Sequence, residues 1–200
     1  MERLGLSAEP WWVNLLIVIP LAAYGTWRRR GLVLAMPTLL AAAVFGTAFG
    51  FVEAAVVVYL RAATGLLTAR KPMLFGFGNH TPDLDQQIQL LAKIPVNLHT
   101  LEVFRESATM VMLIAVACMA VGTRRERCAI FLWTFAVWDI FYYVGLWATI
   151  RWPPSLRASD VLFLIPVPWV SPVWFPILVS ALTIVVVILA RKARRRLPEA

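Results

Sequence analysis

Four carboxylate residues and one histidine lie within long apolar runs of the sequence, where ionisable side chains are rare. They are Glu53, His99, Glu102, Glu106 and Asp139. A charged side chain in a hydrocarbon environment costs about 2.5–3.5 kcal/mol on insertion scales, so such a residue usually has a partner or a function. Carboxylate oxygens and imidazole nitrogens are common metal ligands. These five residues therefore predict a metal site for iron, manganese or zinc.

The spacing of three of these residues places them on one side of a helix. At about 100° per residue, His99, Glu102 and Glu106 fall within roughly 60° of one another. They can point together into a helix bundle. The order of histidine and glutamate differs from the Glu-x-x-His pair of di-iron bundles, so the metal prediction depends on the residue types more than on a motif.

A stripe of small residues leads to the first of these acids. Gly46 and Gly50 form a small-xxx-small pair, which allows two helices to approach closely. Glu53 continues the same stripe by one turn. We therefore expect Glu53 to face a neighbouring helix and not lipid.

Two tyrosines follow Asp139 by one turn. Tyr142 and Tyr143 flank the face of Asp139 and can donate hydrogen bonds to a carboxylate. If these polar residues together line a catalytic pocket, Glu102 or Glu106 is the predicted general base or metal ligand, and Tyr142 or Tyr143 orients the substrate.

The balance of charge leaves more than one interpretation open. The four carboxylates outnumber Arg105, the predicted internal counter-ion. A buried surplus of carboxylates must be neutralised by protons, by a bound cation or by water. A metal site, a proton path, and a purely structural role in which Arg105 pairs with Glu53 or Asp139 all meet this requirement.

The composition indicates which elements hold these residues. Of the 200 residues, 60% are hydrophobic and 15% charged, and the mean hydropathy is +0.75. The net charge of +8 comes from clusters at the ends of apolar runs, Arg28–Arg30, Arg124–Arg127 and 191–196. This arrangement is typical of membrane proteins and argues against nucleic acid as a partner.

The apolar runs predict an all-α, single-domain transmembrane bundle of about five spans. The expected spans are 11–27, 31–60, 97–121, 128–150 and 172–190, each close to the roughly 20 residues that cross the hydrocarbon core. The three basic clusters hold eleven of the 19 Lys and Arg residues. The positive-inside rule then places the N-terminus outside and the C-terminus in the cytoplasm.

Two regions on the predicted outer side have sequence signals of their own. Residues 61–96 form a long loop, in which a capping threonine and a first-turn proline predict a short amphipathic helix over 82–92. Residues 160–171 contain Pro166 and Pro168 and cannot form one regular helix. We expect either a short helical or re-entrant piece over the outer mouth of the bundle, or a proline-kinked span.

Two stretches resemble a group of uncharacterised bacterial multi-pass inner-membrane proteins. They are Trp138-Asp139-Ile140-Phe141-Tyr142-Tyr143 and Leu162-Phe163-Leu164-Ile165-Pro166-Val167-Pro168-Trp169. The resemblance implies a bacterial inner-membrane location and brings no activity, cofactor or site residue.

Three functional hypotheses follow from the sequence. The first is a membrane-embedded enzyme or metal protein whose periplasm-facing pocket acts on a lipid or small apolar substrate. The second is a non-catalytic subunit of a larger membrane complex. The third is a small proton-coupled or ion transporter, a class that usually shows paired repeats. Membrane lipids, and under the second hypothesis other membrane subunits, are the expected partners.

Overall fold

The computed structural model describes residues 8–63 and 96–195, and the side chains within these ranges except 63, 96–99 and 192–195. The predicted helix over 82–92 lies outside the described residues. In chain order the elements are a 3₁₀ segment Trp11–Ile17, α1 Val18–Trp27, α2 Met36–Ala63, α3 Val96–Ala120, α4 Arg124–Ile150, β1 Ser159–Phe163, β2 Trp169–Pro172 and α5 Trp174–Arg195.

Four helices in the described ranges are long and apolar enough to cross a membrane. They are Met36–Ala62, Thr100–Ala120, Arg124–Ile150 and Trp174–Arg191. This supports the predicted multi-pass helical bundle. The apolar segment Trp11–Trp27 is shorter, but its first part is a 3₁₀ helix, which rises about 2.0 Å per residue. Its length of roughly 29 Å is close to the hydrocarbon thickness of about 30 Å.

Helices α2 and α4 form the central and most extensive helix pair. The small residues of α2 make this possible, because a side chain at Gly46 or Gly50 would collide with α4. A Cβ atom at Gly50 would lie 2.5 Å from the backbone oxygen of Trp138, and one at Gly46 would lie 2.9 Å from that of Thr134. The close approach predicted from these glycines is confirmed, and Glu53 is buried on the same face of α2.

Hydrogen bonds bring three basic clusters to one end of the bundle, which we call the basic end. Arg125 Nη2 donates to the carbonyl oxygen of Trp27 over 3.4 Å, and Arg191 Nε donates to that of Leu34 over 2.8 Å. Both acceptors lie in or beside the connection that follows α1. An apolar cluster that includes Trp27, Leu39, Ile130 and Val187 fills the space between these helix ends.

The opposite end, which we call the hairpin end, contains an antiparallel pair of strands. Ser159 is opposite Pro172 and Val161 is opposite Val170, with an irregularity before Phe163. The expected helical bundle holds for most of the chain, but the expectation of a short helix or a proline-kinked span over residues 160–171 is wrong, because these residues form paired strands and a turn. Pro166 and Pro168 lie in the turn, where their missing N–H groups cost no ladder hydrogen bond.

The N-terminal segment completes this small sheet. Glu9 and Val170 exchange two backbone hydrogen bonds of 2.7 Å each. The outer edge of β2 is thereby paired at its centre, which reduces the number of unsatisfied backbone groups beside an apolar core.

The glycine packing yields a stability prediction. We expect Gly50→Ala to destabilise the bundle by about 1–3 kcal/mol, because the added methyl group can be accommodated only if α2 and α4 separate. The measurement is the apparent melting temperature in mild detergent. Gly25→Ala in α1 is the matched control, because no heavy atom lies within 4 Å of its added Cβ. An unchanged melting temperature for Gly50→Ala would contradict the packing described here.

Candidate functional site

A cavity of about 680 Å³ lies between helices α2 to α5 and the hairpin. Its walls are mostly aliphatic and aromatic, and polar side chains occupy a smaller part of the lining. The aromatic residues that face it include Phe131, Phe135, Trp138, Phe163, Trp169 and Phe175. Its size falls within the range of about 300–1,000 Å³ that is usual for small-molecule sites.

One polar wall of the cavity is an ion network that joins α2 to α3. Arg105 Nη1 donates to Glu53 Oε1 on the neighbouring helix. Arg105 Nε donates to Glu102 Oε1 over 2.9 Å, within α3. The three side chains are largely buried, with exposures of 24% for Arg105, 18% for Glu102 and 11% for Glu53. One guanidinium therefore neutralises carboxylates on two helices, which is the structural role considered for Arg105.

Glu106 is engaged by the hairpin. Both of its carboxylate oxygens lie within reach of the Leu164 backbone N–H, at 2.9 and 3.2 Å. Glu106 and Leu164 are both buried. The carboxylate therefore accepts a hydrogen bond from a backbone group just beyond the end of β1, at a point where the strand ladder provides no partner.

The remaining acids lie nearer to α5 and the hairpin. Ser180 Oγ donates to Asp139 Oδ2 over 2.8 Å, which connects α5 to the middle of α4. Tyr143 donates its hydroxyl to Asp160 Oδ2 over 3.1 Å, which connects α4 to β1. Burial raises the pKa of Asp160 to about 6, and the nearby charge of Arg61 acts in the opposite direction.

The cavity brings together most of the residues that the sequence singled out. Glu53, Glu102, Arg105, Glu106, Asp139, Tyr142 and Tyr143 all line it. The backbone of His99 lies in the first turn of α3, and its side chain is not among those described. Within the described residues, no three His, Cys, Asp or Glu side chains converge as a metal-ion site would require. The predicted iron, manganese or zinc site has no support from this geometry, because the carboxylates are distributed over separate hydrogen-bonded groups.

Sequence reasoning gave no role to three further residues of the polar lining. They are Arg61, Asp160 and Ser180. Arg61 is buried, and its guanidinium carbon lies 4.4 Å from the ring centroid of Trp152. The helical stripe of Gly50, Glu53 and Arg61 on α2 was the available signal. Asp160 and Ser180 had none, because their partners belong to distant parts of the chain.

Two indole groups add unused hydrogen-bonding capacity. In the described part of the chain, Trp138 Nε1 and Trp169 Nε1 are buried and have no hydrogen-bond partner. Both indoles belong to the cavity wall. Buried donors without partners are rare in folded proteins and call for an explanation. Oxygen atoms of a bound molecule are one way to satisfy them after a small side-chain rotation.

The chain was compared with models of protein families, with curated proteins and with solved structures, and none of them matches it. The resemblance to bacterial inner-membrane proteins therefore stays a prediction.

The ion network predicts a specific pattern of stability. We expect Arg105→Gln to destabilise the protein by about 3 kcal/mol, because it leaves two largely buried carboxylates without their cation. Replacing Glu53, Glu102 and Arg105 together by glutamine should recover much of the loss, since no buried charge then remains in the network. The melting temperature in detergent measures both effects.

Arg157→Gln is the control for this series, because Arg157 is exposed and far from the network along the chain. A triple variant that is no more stable than Arg105→Gln would show that the three charges do not act as one unit.

Proposed function

We propose that this membrane protein binds a lipid or another small amphiphilic molecule in the cavity that helices α2 to α5 and the hairpin enclose. The carboxylates and tyrosines of the lining are placed to orient the polar group of this molecule or to act on it. The observation that carries the proposal is the lining of the cavity. Its largely apolar and aromatic walls suit a hydrocarbon portion, and its polar residues are confined to a few clusters. Sites for small molecules typically combine these two features.

The polar groups limit what the bound molecule contains. Most carboxylates are already engaged, by Arg105, by the Leu164 N–H or by the Ser180 hydroxyl. The indole N–H groups of Trp138 and Trp169 are two donors in the lining that have no partner among the described residues. A ligand with carbonyl, ester or phosphate oxygens would satisfy these donors.

The predicted catalytic residues differ in how free they are to react. Glu102 shares its charge with Arg105, which favours a structural role. Glu106 has no arginine or lysine partner among the described residues and is the better candidate for a general base. Before it could accept a proton from a substrate, the Glu106 carboxylate would have to move away from the hairpin, because both of its oxygens lie close to the Leu164 N–H. Tyr142 lines the same cavity and is placed to orient a substrate.

The proposal predicts that purified protein carries a bound amphiphile. Protein extracted from its native membrane should release a defined small molecule on denaturation, detectable by mass spectrometry at near-equal amounts of ligand and protein. Val179→Trp should strongly reduce this release, because Val179 lines the cavity and the larger indole would occupy part of its volume. Val185→Trp is the matched control, since Val185 is 50% exposed on the outside of the same helix.

Two outcomes would contradict the proposal. One is a parent protein that releases no molecule beyond the bulk lipid mixture. The other is equal ligand content in the Val179 and Val185 variants. Either result would favour the hypothesis of a non-catalytic subunit in a larger complex.

We further propose five spans in a bacterial inner membrane, with the basic end in the cytoplasm and the hairpin end in the periplasm. The gathering of the arginine clusters at one end supports this orientation through the positive-inside rule. The length of roughly 29 Å for Trp11–Trp27 supports its role as the first span.

Labelling of introduced cysteines tests the orientation. In a Cys118→Ser/Cys128→Ser background, Ser155→Cys at the hairpin end should react with a membrane-impermeant maleimide in intact spheroplasts. Gly122→Cys at the basic end should react only after the membrane is opened. Both positions are exposed, so accessibility across the membrane decides the result. The reverse pattern would invert the proposed orientation.

A further inference from the structure

A second cavity, of about 500 Å³, lies at the basic end of the bundle and is separate from the proposed ligand cavity. It forms where the connection between α1 and α2 meets the start of α4. Three arginines, Arg29, Arg30 and Arg125, contribute to its walls. Leu32, Val33 and Thr123 contribute as well.

The local charge of this cavity is strongly positive. Among the described residues of its lining, Glu126 is the one that is acidic. Its carboxylate accepts a hydrogen bond of 3.0 Å from the Thr123 hydroxyl, which in turn accepts one from the Glu126 backbone N–H over 3.3 Å. Glu126 is thus used in capping α4, whereas the three arginines leave a surplus of guanidinium groups. Planar guanidinium forks match the geometry of phosphate oxygens.

The backbone adds to this preference for an anion. Helix α4 begins at Arg124, directly beside the cavity, and its first turn carries the positive end of the helix dipole. Arg125 is oriented by its bond to the Trp27 carbonyl oxygen, which fixes one guanidinium at the mouth of the cavity. The anion site therefore combines side-chain charge with a helix start.

Apolar residues distinguish a lipid from a free anion. Both Leu32 and Val33 line the cavity; Leu32 is buried, whereas Val33 is 63% exposed. Val33 lies shortly before the apolar helix α2, and Thr123 directly precedes the apolar helix α4, so an acyl chain bound against Val33 would have apolar helix surface nearby. A free phosphate would make no use of these apolar contacts.

We infer that the cavity at the basic end binds the phosphate headgroup of an anionic phospholipid, with Arg29, Arg30 and Arg125 contacting the phosphate and Val33 contacting the first part of an acyl chain. Basic pockets between transmembrane helices are a known class of site for anionic headgroups. The site lies apart from the ligand cavity, and it would hold the connection between α1 and α2 against the start of α4. Its occupant is a component of the bilayer and not a substrate.

Native mass spectrometry of the delipidated protein tests this inference. The protein in mild detergent is titrated separately with phosphatidylglycerol and phosphatidylcholine, and the fraction carrying one lipid is measured. We expect phosphatidylglycerol to bind the parent, and Arg30→Gln/Arg125→Gln to bind it at least about tenfold more weakly. Arg28→Gln/Arg124→Gln is the matched control. It removes the same charge from the same two segments, but neither residue lines the cavity.

A second double variant and competition with inorganic phosphate provide further tests of the inference. Arg29→Gln/Arg30→Gln leaves the Arg125–Trp27 bond intact and should also lose phosphatidylglycerol, with an unchanged melting temperature. Equal losses in the cavity and control variants would overturn the inference, because binding would then reflect diffuse charge. Equal binding of phosphatidylcholine would overturn it too. Inorganic phosphate that competes equally well at the same concentration as the lipid would show that a free anion, and not a lipid, is the occupant.

Discussion

The hydrogen bond between the Glu106 carboxylate and the Leu164 backbone N–H is the contact on which the arrangement of the cavity depends. A non-helical segment can lie against an apolar bundle only when its backbone groups find partners inside the protein. The hairpin satisfies part of this need by pairing with itself and with Glu9. Just beyond β1 the ladder ends, and Glu106 supplies the acceptor. This contact fixes the hairpin against α3 and so forms one wall of the cavity.

The other polar contacts serve a similar purpose at different depths. Arg105 connects α3 to α2 through Glu53, while the Ser180–Asp139 bond connects α5 to α4. The Tyr143–Asp160 bond connects α4 to the hairpin. Helices in a bilayer gain little from hydrophobic burial against one another, so close packing at small residues and interhelical polar contacts contribute more to the stability of the bundle. Glu53, Glu106 and Asp139 thus each join two elements, whereas Glu102 supports Arg105 within α3. The space that these elements enclose is the proposed ligand cavity.

The sequence predicted the helices well because the length of an apolar run is set by the thickness of the bilayer. Ile150 ends α4 as expected, and α3 begins at Val96, one residue before the expected start. Helix α4 begins at Arg124 and not at Cys128, because Thr123 caps a turn that is polar and lies outside the apolar run. The small-residue stripe of α2 predicted its close contact with α4, because this contact depends on a local sequence pattern, the spacing of Gly46 and Gly50.

The hairpin and the partners of the acids were beyond prediction because they depend on distant pairings. Its strands have four and five residues, which is too short for a period of two to be recognised beside three prolines. The carboxylates were correctly expected to face the bundle interior. Their spacing, however, gave no indication that Leu164 or Ser180 would be opposite them. Carboxylates that converge on one metal ion and carboxylates that each bond to a different partner give the same sequence pattern. The two arrangements can be distinguished only in the folded structure.

The pairing of Glu9 with Val170 has a consequence for the order of biosynthesis. The two residues are separated by roughly 160 positions, and translation proceeds at about 5–20 residues per second. Glu9 therefore leaves the ribosome on the order of ten to thirty seconds before its partner. The small sheet cannot close until the hairpin has been delivered to the same side of the membrane as the N-terminus. Assembly at that face is consequently a late event, and in an intermediate with all earlier helices inserted Glu9 still lacks its strand partner.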